Sequence, residues 1–323
     1  MKIAVLGGGS WGTALALVGA GAGHSVTIHA RDAATVGAIN TGHENAKRLP
    51  GFALPETITA GSDLAAAVAG AGAIVSAVPA QATRDVLAAL APAPGVPVVL
   101  AAKGLERATG LTMSAVAADV LPGAPVAVLS GPGFAADVAA GLPTAVTIAA
   151  LDVALADDLC AVFAGPAFRP YAETDVTGVE IGGAVKNVLA IAAGIVTGRN
   201  LGASAQAALI ARGFAELRRL AVALGAEGET LMGLSGLGDL VLTCTSGQSR
   251  NFAYGERLGG GETAAEGVLV EGAATAAAAA RLAAEHHVDM PVVAAVAAVI
   301  DGMLTVDGAI DGLLARPLKR ERA

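Results

Sequence analysis

A single lysine, Lys186, stands in the run Ile181-Gly182-Gly183-Ala184-Val185-Lys186-Asn187, and no other charge occurs between Glu180 and Arg199. An ammonium partly withdrawn from water has its charged form disfavoured, so its pKa falls towards neutrality. Such a lysine can give and take a proton, which is acid–base chemistry. The plain alternative is a helix lysine whose stem lies on apolar surface and whose head reaches water. Asp239, in Gly236-Leu237-Gly238-Asp239-Leu240, is an acid among glycine and apolar neighbours. That placement is costly unless the carboxylate is paired, and lysine is the partner class available. Lys103 follows the apolar run ending at Ala102 and falls where a substrate meets an open sheet, although a structural lysine at a helix start reads the same way. Downstream, Ser249 can cap a helix starting near Arg250, bringing backbone N–H groups, a guanidinium and the Asn251 amide together. That set suits a phosphate, and a plain N-cap beside an exposed arginine is the alternative.

Gly7-Gly8-Gly9-Ser10-Trp11-Gly12 carries G-x-G-x-x-G directly after an apolar run and at the start of a helical one. In a dinucleotide site Gly7 permits the tight turn, Gly9 lets a pyrophosphate approach the backbone and Gly12 packs helix on strand. Cofactor type is read at the end of the second strand, His29-Ala30-Arg31-Asp32. Alanine stands near the expected acid, and Arg31 could hold a 2′-phosphate, which makes NADPH at least as fitting as NADH. A solvated Arg31–Asp32 ion pair is the other reading. Leu129-Ser130-Gly131-Pro132-Gly133-Phe134-Ala135 is a second polar turn at a strand end.

These residues need a sheet and a helical body to position them. Apolar runs at Lys2–Leu6, Ser25–Ala30, Ala73–Val78, Val96–Ala101, Val126–Leu129 and Thr144–Ile148 read as strands alternating with helices. That alternation predicts a parallel sheet with crossover helices. From Gly178 the chain becomes alanine-rich, and helices are expected over 183–196, 204–224, 272–286, 291–301 and 306–315. The fold class is therefore α/β, with a Rossmann-like parallel-sheet domain over 1–178 followed by an all-α domain over 179–323. Arg212 and Glu216, four apart, suggest a helix pair. The composition, 54% hydrophobic but 3% aromatic, implies closely packed helices and a valine-rich sheet. A net charge of -8 excludes a non-specific nucleic-acid binder, so any anionic ligand must be held by a few local cations. Cys160 and Cys244 lie far apart, which fits a reducing cytoplasm, and His286-His287 lacks a ligand cluster, so no metal is expected. Residues 64–83 are uncharged but contain Pro79 and Gln81, and read as a buried strand with turns rather than a membrane span.

With these motifs in order, the chain resembles the bacterial NAD(P)-dependent glycerol-3-phosphate dehydrogenases, from the first strand to about residue 315. The likeness rests on residues 7–13, Ala-Lys-Gly-Leu-Glu at 102–106 and Ser-Gly-Pro-Gly-Phe-Ala at 130–135. It continues with Gly-Gly-Ala-Val-Lys-Asn at 182–187, Gly-Leu-Gly-Asp-Leu at 236–240, Ser-Arg-Asn at 249–251 and Val-Glu-Gly at 270–272. The resemblance implies reversible reduction of dihydroxyacetone phosphate to sn-glycerol 3-phosphate with NAD(P)H, supplying glycerophospholipid synthesis. It implies Lys186 as the proton donor and acceptor, with Thr243 a supporting hydroxyl near Asp239. It further implies Lys103, Gly131, Gly133, Lys186, Asp239, Ser249, Arg250 and Asn251 around the substrate. Cofactor contacts would come from Ser10, Trp11, Arg31, Lys103, Ala135, Arg250, Leu269 and Glu271, besides the glycines of the first turn. Gly133 departs from the family's usual Ser or Thr, and Arg48 from an aromatic; the Arg250 to Glu271 spacer is short. A homodimer is compatible with the resemblance. A hydroxyacid or ketopantoate-type reductase, and a nucleotide-sensing module without turnover, are the other readings.

Overall fold

The computed structural model of the chain describes residues 1–91, 95–262 and 270–318. Its first half is an 8-stranded sheet built from β1 (Lys2–Leu6), β2 (Ser25–His29), β5 (Ile58–Gly61), β6 (Ala73–Ser76), β7 (Val98–Leu100), β8 (Val126–Ser130), β9 (Thr144–Ala149) and β10 (Phe168–Glu173). A short hairpin of β3 (Glu44–Asn45) and β4 (Leu49–Ala53) lies apart from it. The strand order is β10-β9-β8-β7-β6-β1-β2-β5. β6 and β7 are buried at every residue, as expected of strands covered on both faces by crossover helices. The chain steps from β1 to β2 on one side and later returns to β6 on the other, so the carboxyl ends of β1 and β6 flank a crevice.

Every neighbouring pair in this sheet is parallel except β8 and β9, which run antiparallel and correct the all-parallel expectation. The connection between them carries only the helix Ala135–Ala139. The chain therefore enters β9 from the same end of the sheet at which it leaves β8. β5 and β10 were not legible as strands. Both are edge strands, and Phe168-Arg169-Pro170-Tyr171-Ala172-Glu173 has charged residues and a proline where a central strand would have an apolar run.

After β10 the described residues are helical. The helix Val176–Gly198 is the axis of this half; it starts earlier than the expected 183, and the anticipated division at 178/179 falls in its first turn. Asp175 caps it, accepting from Gly178 N at 2.8 Å. The early turns are retained because buried Glu180 accepts from Ser114 N at 2.8 Å and from the Ser114 hydroxyl, tying this helix to the start of the helix Met113–Val120. Residues 178–196 are buried throughout, consistent with a helix that is apolar on all sides. It is long and apolar enough to cross a membrane, yet 94% of its most apolar window is buried inside the protein, as in a core helix.

Glycines let a second helix, Arg250–Gly259, lie directly on this axis. A Cβ on Gly194 would stand 2.0 Å from Phe252 O, and one on Gly255 would stand 2.0 Å from Ile191 O. Helices Ala203–Ala223, Glu271–Glu285, Pro291–Ile300 and Val306–Leu314 complete the body, close to their expected bounds. Glu216 does not form the anticipated i,i+4 pair with Arg212. Its carboxylate accepts from Val292 N at 2.9 Å and from Val293 N at 3.2 Å, supplying acceptors to the first turn of the proline-led helix.

Candidate active site

The glycine turn after β1 has the geometry its spacing predicts. Gly7 has φ +115, and a Cβ there would meet Ala77 O at 2.8 Å across the β1–β6 crevice. A Cβ on Gly12 would stand 2.0 Å from Gly7 O, so only glycine lets the helix Ser10–Gly21 close on the turn. Nothing lies within 4 Å of the Cβ position of Gly9, which faces open space at the helix N-terminus. This is a cradle for a phosphate, with unpaired backbone donors and room for close approach. From it a cleft of about 1090 Å³ runs past Arg31, Trp11 and Lys103 to Lys186, Arg250 and Glu271.

At its floor three charges meet. Lys186 Nζ donates to Asp239 Oδ1 at 2.6 Å, and Lys103 Nζ donates to Asp239 Oδ2 at 2.8 Å. Lys186 also donates to Thr243 Oγ1 at 2.7 Å, while the Thr243 hydroxyl contacts Asp239 O at 2.6 Å. Lys186 is 5% exposed and Asp239 1%, so the snorkelling reading of Lys186 does not hold. Burial pushes the Lys186 ammonium down to about 8, with Asp239 pulling against that and Lys103 adding to it. Burial alone would raise Asp239, but the two ammoniums outweigh it and hold the carboxyl below the usual range. Two lysines against one carboxylate leave the floor with a net positive charge, although the chain as a whole carries -8. Lys103 donates further to Gly131 O at 2.8 Å and lies 5.8 Å from the Trp11 ring.

Ser249 caps the helix Arg250–Gly259, accepting from Phe252 N at 3.2 Å. Arg250 is exposed at the cleft wall beside Glu271, whose carboxyl is raised by burial against the pull of Ala80 N–H and Arg250. Asn251 reaches the cleft, but its amide donates to Asn187 Oδ1 at 2.9 Å and accepts from Gly272 N at 2.9 Å. Asn187 in turn donates to Lys103 O at 2.9 Å. This amide relay holds the loop of Lys103 to the helix that carries Lys186. It was not anticipated, and its only sequence signal is that Asn187 adjoins Lys186.

Of the anticipated residues, Gly7, Gly9, Ser10, Trp11, Arg31, Lys103, Gly133, Ala135, Lys186, Asp239, Ser249, Arg250, Asn251 and Glu271 line this one cleft. Gly12 and Gly131 stand behind the wall; Gly131, at φ +137, approaches Val146 too closely for a side chain. A Cβ on Gly133 would stand 3.3 Å from Thr144 Cγ2 and 3.4 Å from the Trp11 ring, so a hydroxyl-bearing residue here would have to displace its neighbours. Leu269 lies outside the described residues. The Arg31–Asp32 pair does not form: Asp32 binds Lys47 at 2.8 Å and Thr35 Oγ1 at 2.9 Å, its carboxyl held down at about 2. It also caps the next helix through Ala34 N, so the acid nearest the ribose end of the cleft is already engaged. Arg48 lines the cleft beside Arg31, held through its carbonyl by the Ser10 hydroxyl. The glycine cradle and the open path from it to the lysines fit a nicotinamide dinucleotide.

Comparison with known proteins covers the whole of this architecture. Residues 2–156 match the NAD-dependent glycerol-3-phosphate dehydrogenase N-terminus, and residues 175–311 match the NAD-dependent glycerol-3-phosphate dehydrogenase C-terminus. The chain is 56% identical over 322 residues to a glycerol-3-phosphate dehydrogenase [NAD(P)+] of Mesorhizobium japonicum, covering 99% of this chain and 94% of that one. It is 55% identical to the protein of the same name from Brucella canis, covering 99% of both. The crystal structure of glycerol-3-phosphate dehydrogenase from Coxiella burnetii superposes with a TM-score of 0.93 at 40% identity, over 98% of this chain and 99% of that one.

Proposed function

The chain belongs to the NAD-dependent glycerol-3-phosphate dehydrogenase family, and from that we infer an NAD(P)-dependent oxidoreductase that interconverts dihydroxyacetone phosphate and sn-glycerol 3-phosphate at the Lys186–Asp239–Lys103 cluster. The observation that carries this reading is one buried carboxylate holding two lysines at the floor of the cleft that begins at the glycine cradle. A reductase for hydroxyacids would need a carboxylate clamp in place of the Ser249-Arg250-Asn251 cap, and a sensing module would have no use for the buried lysine.

The nicotinamide cofactor supplies or removes the hydride. Gly7, Gly9, Ser10, Trp11 and Gly12 would hold its pyrophosphate end, Arg31 a 2′-phosphate, and Lys103, Ala135, Arg250 and Glu271 its remainder. Leu269 is assigned there by resemblance alone. Ser249, Arg250 and Asn251 would hold the substrate phosphate, with Gly131 and Gly133 lending backbone to the same ligand. Lys186 would stabilise negative charge developing on the C2 oxygen and give it a proton; in the oxidation direction it takes that proton back. Asp239 keeps both ammoniums aimed at one point, and Lys103 makes the loss of charge from Lys186 easier. Because Lys186 titrates near 8, both its forms are accessible at physiological pH. Reduction should weaken as pH rises through that value, and oxidation should strengthen. The reading extends to a cytoplasmic setting, supported by two unpaired cysteines, to a homodimer, and to the supply of glycerol phosphate for phospholipids.

The test is cofactor oxidation with and without dihydroxyacetone phosphate. Lys186→Met should lower kcat by about a hundredfold or more while cofactor affinity stays unchanged. Turnover close to that of the unaltered protein would remove Lys186 from the chemistry.

A further inference from the structure

Just behind the cleft wall, two buried oxygens lack a hydrogen-bond partner at the same spot: Glu271 Oε2 and Thr275 Oγ1. Both belong to the helix Glu271–Glu285 and lie one turn apart, on one face. Gly104, in the turn after β7, packs against both. A Cβ there would stand 2.9 Å from Ala80 Cβ, 3.1 Å from Thr275 Oγ1 and 3.2 Å from Glu271 Oε2. Only glycine lets this turn pack so closely, and its α-carbon faces a hydroxyl and a carboxyl oxygen together. Thr275 is 0% exposed, so water outside the protein cannot satisfy it. Two unpaired polar atoms this close together each carry a desolvation penalty that joining them would relieve.

The other Glu271 oxygen is tied across the seam between the two halves of the chain, accepting from Ala80 N at 3.3 Å. Arg250 is the charged group that acts on this carboxyl from the neighbouring helix. A carboxyl held at one oxygen can still swivel about that contact; held at both, it presents a fixed edge to the cleft.

We propose that Thr275 is a positioning residue for Glu271: its hydroxyl turns to join the free Glu271 oxygen one helical turn away and fixes the carboxyl edge presented to the nicotinamide cofactor. This rests on the reading that Glu271 contacts the cofactor. Valine at 275 would keep the volume and remove the hydroxyl; serine would keep the hydroxyl and lose a methyl.

Trp11 is the one tryptophan and lines the cleft, so its fluorescence reports NADPH binding without turnover. Circular dichroism and the thermal midpoint confirm that each variant is folded. Thr275→Val should raise the Kd for NADPH by about three- to tenfold, while Thr275→Ser stays within about twofold of the unaltered protein. Gly104→Ala, whose Cβ would press on both oxygens and keep them from joining, should repeat the Thr275→Val loss and supplies the same readout if the valine variant folds poorly. The double variant Thr275→Val/Glu271→Gln should bind no more weakly than Glu271→Gln alone, because the hydroxyl acts only through that carboxyl. An unchanged Kd in Thr275→Val, an equal loss in Thr275→Ser, or losses that add in the double variant would overturn the proposal. If Glu271→Gln weakens binding and Thr275→Val does not, only the positioning role fails. If Glu271→Gln binds normally, the Glu271 contact fails and the positioning role with it.

Discussion

Arg250 and Arg31 are both cations at the cleft, and each is open to a test by which ligand suffers. Arg250 stands at the cleft wall, and a charge-assisted bond to phosphate contributes roughly 1.5–3 kcal/mol. Arg250→Ala should therefore lower kcat/KM for dihydroxyacetone phosphate by about ten- to a hundredfold. Unphosphorylated dihydroxyacetone, which cannot use the contact, should lose far less once cofactor affinity, measured separately, is subtracted. Equal losses for both substrates would take the phosphate away from Arg250. At the other end, Asp32 is bound to Lys47 and to its own helix cap, so Arg31 lines the cleft without an ion pair to Asp32. Arg31→Ala should weaken NADPH much more than NADH, because only NADPH carries the 2′-phosphate. Parallel weakening of both cofactors, measured by Trp11 fluorescence, would assign Arg31 to a part the two share.

The element that matters most is the helix Val176–Gly198, because it carries Lys186 and Asn187 and is itself held by glycine contacts. Its backbone meets that of the helix Arg250–Gly259 so closely that a Cβ on Gly194 would stand 2.0 Å from Phe252 O, and one on Gly198 would stand 2.1 Å from Glu256 O. Such overlap must be relieved by moving one helix away from the other, and overpacking of this kind costs about 1–3 kcal/mol. Gly194→Ala should lower the urea midpoint accordingly. It should also reduce kcat/KM, because the displaced helix carries Ser249, Arg250 and Asn251. Gly21→Ala, where nothing lies within 4 Å of the Cβ position, is the control and should lose nothing. Unchanged stability in Gly194→Ala would mean that the two helices yield without penalty.

At the scale of the whole molecule, Asp239 links folding to pH because it binds one lysine from each half of the chain. Its folded pKa lies below its unfolded one: burial pushes it up, but Lys103 and Lys186 together outweigh burial. The stabilisation is therefore fully present above the ordinary carboxylate value of about 3.9 and is lost as pH falls through the folded pKa. Asp239→Asn leaves the buried Lys186 ammonium and the half-buried Lys103 without their counter-ion, and removing one partner of a buried pair typically costs about 3–5 kcal/mol. Urea unfolding should show that gap at pH 7, and the gap should narrow as the pH is lowered past about 4. A gap that stays constant from pH 7 to pH 3 would show that the carboxylate's charge contributes nothing to holding the two halves together.

Read from sequence alone, the motifs that depend on local geometry came through. Gly12 is required by a contact five residues back, with Gly7 O, Ser249 caps the helix that follows it, and the isolation of Lys186 in an apolar run left burial and snorkelling as the two readings, which the fold decided for burial. The buried Asp239, flanked by glycine and apolar residues, likewise demanded a lysine partner. The sequence could not say that Asp239 would bind both lysines at once, nor that Asp32 would turn from Arg31 to Lys47. Both outcomes depend on which of several cations, 15 to 136 residues away, the fold brings within 2.8 Å. The reversal of β9 leaves no mark on the strand itself, because an apolar run reads the same in either direction. The Asn187–Asn251 relay and the close approach of Gly104 to Thr275 and Glu271 are likewise products of tertiary structure: amides, hydroxyls and glycines are ordinary in sequence and acquire meaning only when packing removes water and leaves them facing one another.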